Sequence, residues 1–343
     1  MKRYRIGIVG AGFGAYAHLP ALRNHARFDV VAIASPSSAA RVARESNVPN
    51  AFRSCAEMLD GCELDAVTVA SPPFAHRDDV LAALHRGKHV LAEKPFALNL
   101  ADARAMAEAA RVAGVAAGVC HEFRFVPQAV ALKELALHGH LGELRNIEVT
   151  LLRTSLRREE RSRPRGWWFE RERGGGVAGA VLSHLIDHAD WLAGIPPARA
   201  MGFRRTANPA RNDENGGFTS TVDDGAFAVV EYGGGLAARL AVDATTAVES
   251  YTCAVHGEKR TAVASGPNIL ELTLYTVDAQ TTDELECKPS PYARFASINA
   301  NVPPLMELYD EFAKALDGAS NALPSFEESL RTQEVLAAIG YEH

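Results

Sequence analysis

Apolar positions along this chain change their rhythm near residue 121. Before that point they come in short runs with little polar alternation: Arg5-Ile6-Gly7-Ile8-Val9, Val30 to Ala34, Leu64 to Ala70, His89 to Ala92 and Val115 to Val119. Such runs fit strands buried on both faces of a parallel sheet. Helical stretches fall between them, from about Ala15 to Asn24, from Asp78 to His85 and from Ala101 to Ala113, the last ended by Gly114. That alternation predicts βαβ units and a first domain over residues 1–121. Beyond it a helix is expected from about Gln128 to His138, then an alternating strand from Leu144 to Leu152. Ala226 to Tyr232 and Leu236 to Val242 read as strands joined by Gly233-Gly234-Gly235, with further strands near Tyr251–His256 and Leu270–Tyr275. The chain turns helical again from Leu305, so a second α/β domain over residues 122–343 is expected. Asn212 to Gly217 reads as a polar loop without assignable chemistry.

Length and composition narrow the class. A chain of 343 residues can build two domains with their own cores. A net charge of -6 argues against a dedicated nucleic-acid binder. Cys55, Cys62, Cys120, Cys253 and Cys287 are odd in number and scattered, without a Cys-x-x-Cys pair, so neither a disulfide framework nor a zinc knuckle is suggested. Met1-Lys2-Arg3-Tyr4 runs straight into a strand, and no apolar run approaches a membrane span. The chain reads as cytoplasmic, with free thiols and no metal site.

Candidate chemistry begins at Gly10-Ala11-Gly12-Phe13-Gly14-Ala15, which sits directly between a strand and a helix. Gly10 permits a tight turn, Gly12 lets backbone approach a pyrophosphate, and Ala15 holds the third fingerprint position, where the helix packs on the sheet. The helix start then offers bare N–H groups to phosphates. The end of the second strand lacks the acidic residue that would accept from an adenosine ribose. It reads Ala34-Ser35-Pro36-Ser37-Ser38 with Arg41 beyond, which suits a 2′-phosphate and predicts NADP(H) in preference to NAD(H). The alternative is that these residues only cap the next helix, with Ser38 at the N-cap.

The stretch Arg86-Gly87-Lys88-His89-Val90-Leu91-Ala92-Glu93-Lys94-Pro95 sets a carboxylate and an amine at the carboxyl end of a buried strand, where open α/β sheets bind their ligands. The alternative is an ordinary turn with a solvated lysine. With Gly10-x-Gly12, Ser71-Pro72 followed by His76, Arg124-Phe125 and Leu141-Gly142-Glu143-Leu144, this stretch resembles the Gfo/Idh/MocA family (glucose–fructose oxidoreductase, inositol dehydrogenase, rhizopine catabolism) of nicotinamide-dependent oxidoreductases. The resemblance runs over essentially the whole chain. It implies an N-terminal Rossmann domain, a C-terminal α/β domain with a large, mostly antiparallel sheet, and a nicotinamide between them. It also implies a homodimer or homotetramer formed through that sheet. Gly10, Gly12, Phe13, Gly14, Ser71, Pro72, His76, Glu93 and Lys94 are then the expected cofactor residues, joined by Ser35, Ser37 and Arg41.

In the second domain, Gly174-Gly175-Gly176 leads into a helix carrying His184, Asp187 and His188. The resemblance implies that a histidine at the place of His184 accepts the proton, oriented by an aspartate four residues earlier. Here that position is Ala180, with Asp187 and His188 as candidate substitutes. Lys94 is expected to stabilise charge on the reacting oxygen, or to act as the base itself. His121, Arg124, Trp167, Trp168 and Asp187 are the expected substrate residues. For the tryptophans, within the arginine-rich stretch Arg153 to Arg173, a solvated loop is the alternative. The expected substrate is a sugar, cyclitol or related polyol, a small molecule with no nucleic acid or membrane partner. Two other functions stay open: a non-catalytic NADP-binding regulator or sensor, and a redox-neutral NAD-dependent glycosidase.

Overall fold

The computed structural model describes residues 2–157 and 165–343. Contacts divide them into two compact units, Met1–Glu122 with Ser290–Leu330, and Phe123–Pro289 with Arg331–His343. Ser290–Leu330, which chain order assigns to the second domain, thus groups with the first.

The first unit is built on six parallel strands, β1 (Tyr4–Val9), β2 (Phe28–Ala34), β3 (Asn50–Phe52), β4 (Ala66–Val69), β5 (His89–Ala92) and β6 (Ala117–Val119). Their order is β3-β2-β1-β4-β5-β6, the Rossmann arrangement. The uninterrupted apolar runs are buried on both faces, Ile6, Ile8, Val67, Val69, Val90 and Leu91 among them. Strand β3 and the helices Ala39–Glu45 and Cys55–Gly61 have no counterpart in the periodicity, being too short to show one. Ser54 caps the second of these, accepting from the Glu57 amide at 3.2 Å. Ser38 makes no such bond, so its hydroxyl does not cap the helix after β2. The helix after β4 starts at Pro73, earlier than expected, because proline fits a first helical turn that lacks intrahelical N–H partners. Gly114, at φ 63°, closes the helix Leu100–Ala113 as expected. The helix Val302–Leu316 lays Leu305, Leu308, Tyr309 and Phe312 into this unit's core, where Phe312 stacks on Phe28.

The second unit carries β7 (Leu144–Leu152), β8 (Pro197–Arg205), β9 (Ala210–Asp213), β10 (Gly216–Thr219), β11 (Gly225–Tyr232), β12 (Ala237–Asp243), β13 (Ser250–Gly257), β14 (Thr261–Asn268), β15 (Glu271–Val277) and β16 (Thr282–Leu285). Eight of them form a sheet in the order β16-β15-β14-β13-β7-β12-β11-β8. Only the β7–β12 pair is parallel, so the large sheet is mostly antiparallel, as expected. The polar stretch Asn212–Gly217 is not a simple loop but the turn of the separate β9–β10 hairpin. Ala226, Ala228, Val230 and Tyr232 of β11 point to the buried face, while Val229 and Glu231 face out. Helices Pro127–Leu137 and Ser183–Ala193 cover the buried face. The opposite face leaves Met201, Phe203 and Val229 exposed.

Candidate active site

In the first unit, neighbouring strands β1 and β4 leave the sheet at its topological switch point. Gly10 follows β1 with φ 101°, and a Cβ there would sit 2.1 Å from the Ala70 carbonyl oxygen. Only glycine lets these loops pass. A Cβ on Gly12 would meet nothing within 4 Å, so the loop is open where a pyrophosphate would approach. The close approach of helix to sheet falls at Gly14, whose Cβ would be 2.9 Å from Ile8, one residue before the fingerprint spacing puts it at Ala15. The turn Gly14–His18 is widened to π-type pairing, its Gly14 carbonyl accepting from the Leu19 amide. Phe13 lies half-buried on this loop, its ring edge-on to His18 at 5.5 Å.

Ser71 and His76 build the β4 loop from within. The Ser71 hydroxyl donates to Asp79 at 2.7 Å, and the His76 ring lies 2.7 Å from the Ser71 carbonyl and 3.0 Å from that of Pro95. His76 therefore ties the Ser71-Pro72 turn to the Lys94-Pro95 turn, whose peptide bond is cis. Burial lowers the His76 pKa against the pull of its backbone partners.

Glu93 and Lys94 follow β5. The Lys94 side chain is 18% exposed, with its Nζ 4.0 Å from a Glu93 oxygen. Glu93 is buried: it accepts from the Lys94 amide at 3.1 Å and pairs with His18 Nε2 at 2.9 Å. Burial alone would raise its pKa; the His18 hydrogen bond and the Lys94 charge outweigh that and hold the carboxyl well below the ordinary range. His18 Nδ1 lies 2.8 Å from the Tyr309 hydroxyl, itself 2.9 Å from that of Thr68. Cys120, just after β6, lies beside Glu93, and burial pushes its thiol pKa well up. The ligand-type atoms of His18, Glu93 and Cys120 lie within 4.8 Å of one another. His18 already bonds Glu93 at 2.9 Å and its other ring nitrogen faces Tyr309, so the cluster reads as part of a polar network rather than a cation site.

His18, Tyr309 and Thr68 carried no motif. Their signal was a polar residue on a buried stripe: Gly14, Ala17, His18, Ala21 and Leu22 in one helix, Leu305, Leu308, Tyr309 and Phe312 in the other. At the end of β2, Ser37 and Arg41 are exposed, and Arg41 pairs with Glu45 at 2.8 Å. Ser35 donates its amide to Phe52. His121 is buried just after β6.

In the second unit, Gly174, Gly175 and Gly176 thread past the Trp167–Trp168 backbone. A Cβ on Gly175 would lie 2.2 Å from the Trp168 carbonyl oxygen. Asp223 accepts from the Ala178 amide at 2.7 Å, anchoring the start of the following helix. That helix opens with a second widened turn, Ala178–Leu182, and continues as Ser183–Ala193. His184 is buried on it, stacked on Phe123 with ring centroids 4.0 Å apart. Neither neighbour one turn back can supply the missing carboxylate. Ala180 has none, and a Cβ on Gly179 would lie 2.5 Å from the Tyr341 hydroxyl.

Both candidate substitutes have strong partners of their own. Both Asp187 oxygens accept from Arg124, at 2.8 and 2.5 Å, a buried bidentate pair tying the helix to the Glu122–Phe125 turn. His188 lies 3.0 Å from the Tyr251 hydroxyl, and burial lowers its pKa to about 4. Trp167 and Trp168 are half-buried in one short turn, Trp168 against the core. Residues 158–164 of the arginine-rich stretch lie outside the described residues.

Residues 4–121 match the oxidoreductase family with an NAD-binding Rossmann fold, and residues 129–263 match the GFO/IDH/MocA C-terminal domain. The chain belongs to the Gfo/Idh/MocA oxidoreductase family, as its motifs suggested. It is 37% identical over 198 residues to an uncharacterized oxidoreductase of Synechocystis, a match over 57% of this chain and 52% of that protein. The matched stretch therefore spans about half of that relative's length. It is 29% identical to 1,5-anhydro-D-fructose reductase of Ensifer adhaerens over 78% of this chain and 76% of that one. A levoglucosan dehydrogenase solved with NADH and levoglucosan shares the fold at a TM-score of 0.84 and 22% identity, over 98% of this chain and 96% of that one.

Proposed function

We propose that this protein is an NAD(P)-dependent oxidoreductase acting on a secondary alcohol or ketone of a sugar, cyclitol or related polyol. The observation that carries the reading is Lys94, supported by a buried carboxylate and set at the carboxyl end of β5 in a sheet whose glycine loop leaves room for a pyrophosphate. Sugar-acting relatives in the same family support the substrate class. When bound, the nicotinamide supplies the hydride acceptor. The Lys94 ammonium then hydrogen-bonds the reacting oxygen and stabilises its developing charge. His184, stacked on Phe123, takes the hydroxyl proton. His121, Arg124, Trp167, Trp168 and Asp187 are assigned to substrate recognition, with Arg124 and Asp187 acting as a rigid pair. Lys94→Met should lower turnover about 10²–10⁴-fold while leaving NADH affinity within about threefold. A variant that keeps most of its turnover would remove Lys94 from the mechanism.

The absence of a carboxylate among Ala34 to Ser38, with Ser35, Ser37 and Arg41 beside it, supports a preference for NADP(H). Arg41 must leave Glu45 to reach a 2′-phosphate. Parallel titrations with NADPH and NADH test this: Arg41→Ala should weaken NADPH about 10-fold and leave NADH unchanged. Equal wild-type affinities would end the preference. The free cysteines support a cytoplasmic location.

One observation favours a second reading, a cofactor-binding sensor: neither Gly179 nor Ala180 offers His184 an orienting carboxylate. Tight cofactor binding without turnover on polyol and ketose panels would select it.

A further inference from the structure

Lys94 rests on a buried chain of side chains drawn from separate elements. Thr68 comes from β4, Tyr309 from the helix Val302–Leu316, His18 from the widened turn after the glycine loop, and Glu93 from the end of β5. The successive contacts are 2.9, 2.8 and 2.9 Å. Thr68, Tyr309 and His18 are fully buried and Glu93 is 6% exposed. One proton arrangement satisfies every member. Thr68 donates to the Tyr309 oxygen, Tyr309 donates to His18 Nδ1, and His18 Nε2–H donates to the Glu93 carboxylate. The other Glu93 oxygen faces Lys94, accepting from its amide at 3.1 Å with the ammonium at 4.0 Å. Buried polar groups are costly unless fully partnered, and this chain partners each of its members in turn up to an end product. Here that end product is a fixed carboxylate beside Lys94, the cation next to it in the Glu93-Lys94-Pro95 motif.

We propose that His18 is a positioning residue for Lys94: backed by Tyr309 and Thr68, it fixes the Glu93 carboxylate beneath the lysine as its counter-charge. The inference deepens the oxidoreductase reading and rests on it for the role of Lys94, but not for the state of Glu93. The groups facing Glu93 are His18 from the widened turn, Lys94 beside it, Cys120 after β6, and the charge-sensing neighbours His76 and Tyr309. Burial favours the neutral acid, and the His18 bond opposes it. Without that bond the balance tips toward protonation as pH falls, and the Glu93 counter-charge 4.0 Å from the Lys94 ammonium is lost.

His18→Leu and His18→Gln test the proposal, the second keeping an N–H donor near the ring's Nε2 position. Infrared difference spectra between pH ~8 and ~5 should show a titrating carboxylic acid in the Leu variant. Asp190 titrates in the same window in every variant, so the diagnostic band is the one left after the wild-type difference spectrum is subtracted; it should be missing from His18→Gln and from His18→Leu/Glu93→Gln. In turnover, His18→Leu should lower kcat about 10–100-fold, move the acid limb of the kcat profile upward by about one pH unit or more, and leave NADH affinity unchanged. His18→Gln should recover most of both. If His18→Leu does not fold, Tyr309→Phe removes only a hydroxyl and should move the same limb in the same direction by several tenths of a unit. A Leu variant, or failing it the Phe variant, with wild-type spectra and pH profile would overturn the proposal. A wild-type protein that binds NADH without turnover would instead count against the oxidoreductase reading, leaving the infrared test to decide the role of His18.

Discussion

Asp190 shows how a single buried carboxyl can set pH dependence in this protein. Its Oδ1 accepts from the Tyr232 hydroxyl at 2.6 Å, whereas its buried Oδ2 has no hydrogen-bond partner among the described residues. Burial, with the nearby Asp187 charge, pushes its pKa up to about 7 against the Tyr232 bond. The folded state therefore binds a proton that the unfolded chain releases near pH ~4. Stability from this group is fully present below that value and is lost as pH rises through about 7. Asp190→Asn keeps the acceptor for Tyr232 and cannot ionise. It should match the wild type near pH ~4 and melt a few degrees higher near pH ~8. A melting-temperature difference independent of pH would show that Asp190 is not the titrating group. At the same scale, His184→Ala should cost less turnover than Lys94→Met, about 10-fold, because Ala180 stands where the family places an aspartate. Equal losses in single-turnover kinetics would place the two on the same footing.

At the scale of elements, the glycine loop separates folding from binding within three residues. Gly10 carries a positive φ and nearly touches the Ala70 carbonyl, whereas Gly12 faces open space. Gly10→Ala should therefore lower the melting temperature by several degrees. Gly12→Asp should leave that temperature within about a degree and weaken NADH binding about 10-fold or more, by repulsion from the pyrophosphate. Calorimetry and a binding titration on both variants check the split. The two widened helical turns follow glycine-rich stretches and each leads to a buried histidine, His18 in one unit and His184 in the other. In both, the extra residue per turn shifts which side chains share a face, so four-residue spacing misjudges the partners.

At the scale of the molecule, the helices Pro127–Leu137 and Ser183–Ala193 cover one face of the large sheet, and among the described residues the other face carries exposed apolar side chains. Met201 and Phe203 on β8 sit opposite Val229 and Phe227 on β11, with Phe203 stacked on Phe227 at 5.0 Å. A sheet face bearing adjacent exposed apolar residues is a surface for self-association, and we propose that copies of this chain pair through it. Phe203→Glu/Val229→Glu should shift the mass measured by light scattering from dimer or tetramer to monomer, with the circular dichroism spectrum unchanged. A wild-type monomer at micromolar concentration would refute the pairing.

The apolar periodicity alone specified the parallel strands at Tyr4–Val9, Phe28–Ala34 and His89–Ala92, the long alternating strands β7 and β11, and the glycine loop between strand and helix. Those features are local: burial on one or both faces writes its own period into the chain, and a positive φ selects glycine. Glu93 and Lys94 were legible for the same reason, as charges at the end of an apolar run. Tertiary structure alone decided that Asp187 belongs to Arg124, that His76 clamps two loops from within, and that Ser290–Leu330 joins the first unit. It also joined Thr68, Tyr309, His18 and Glu93, which are separated by as many as 291 positions along the chain. No periodicity records such pairings, because each member satisfies its own helix or strand, and the hydrogen bonds between them exist only after the core has closed.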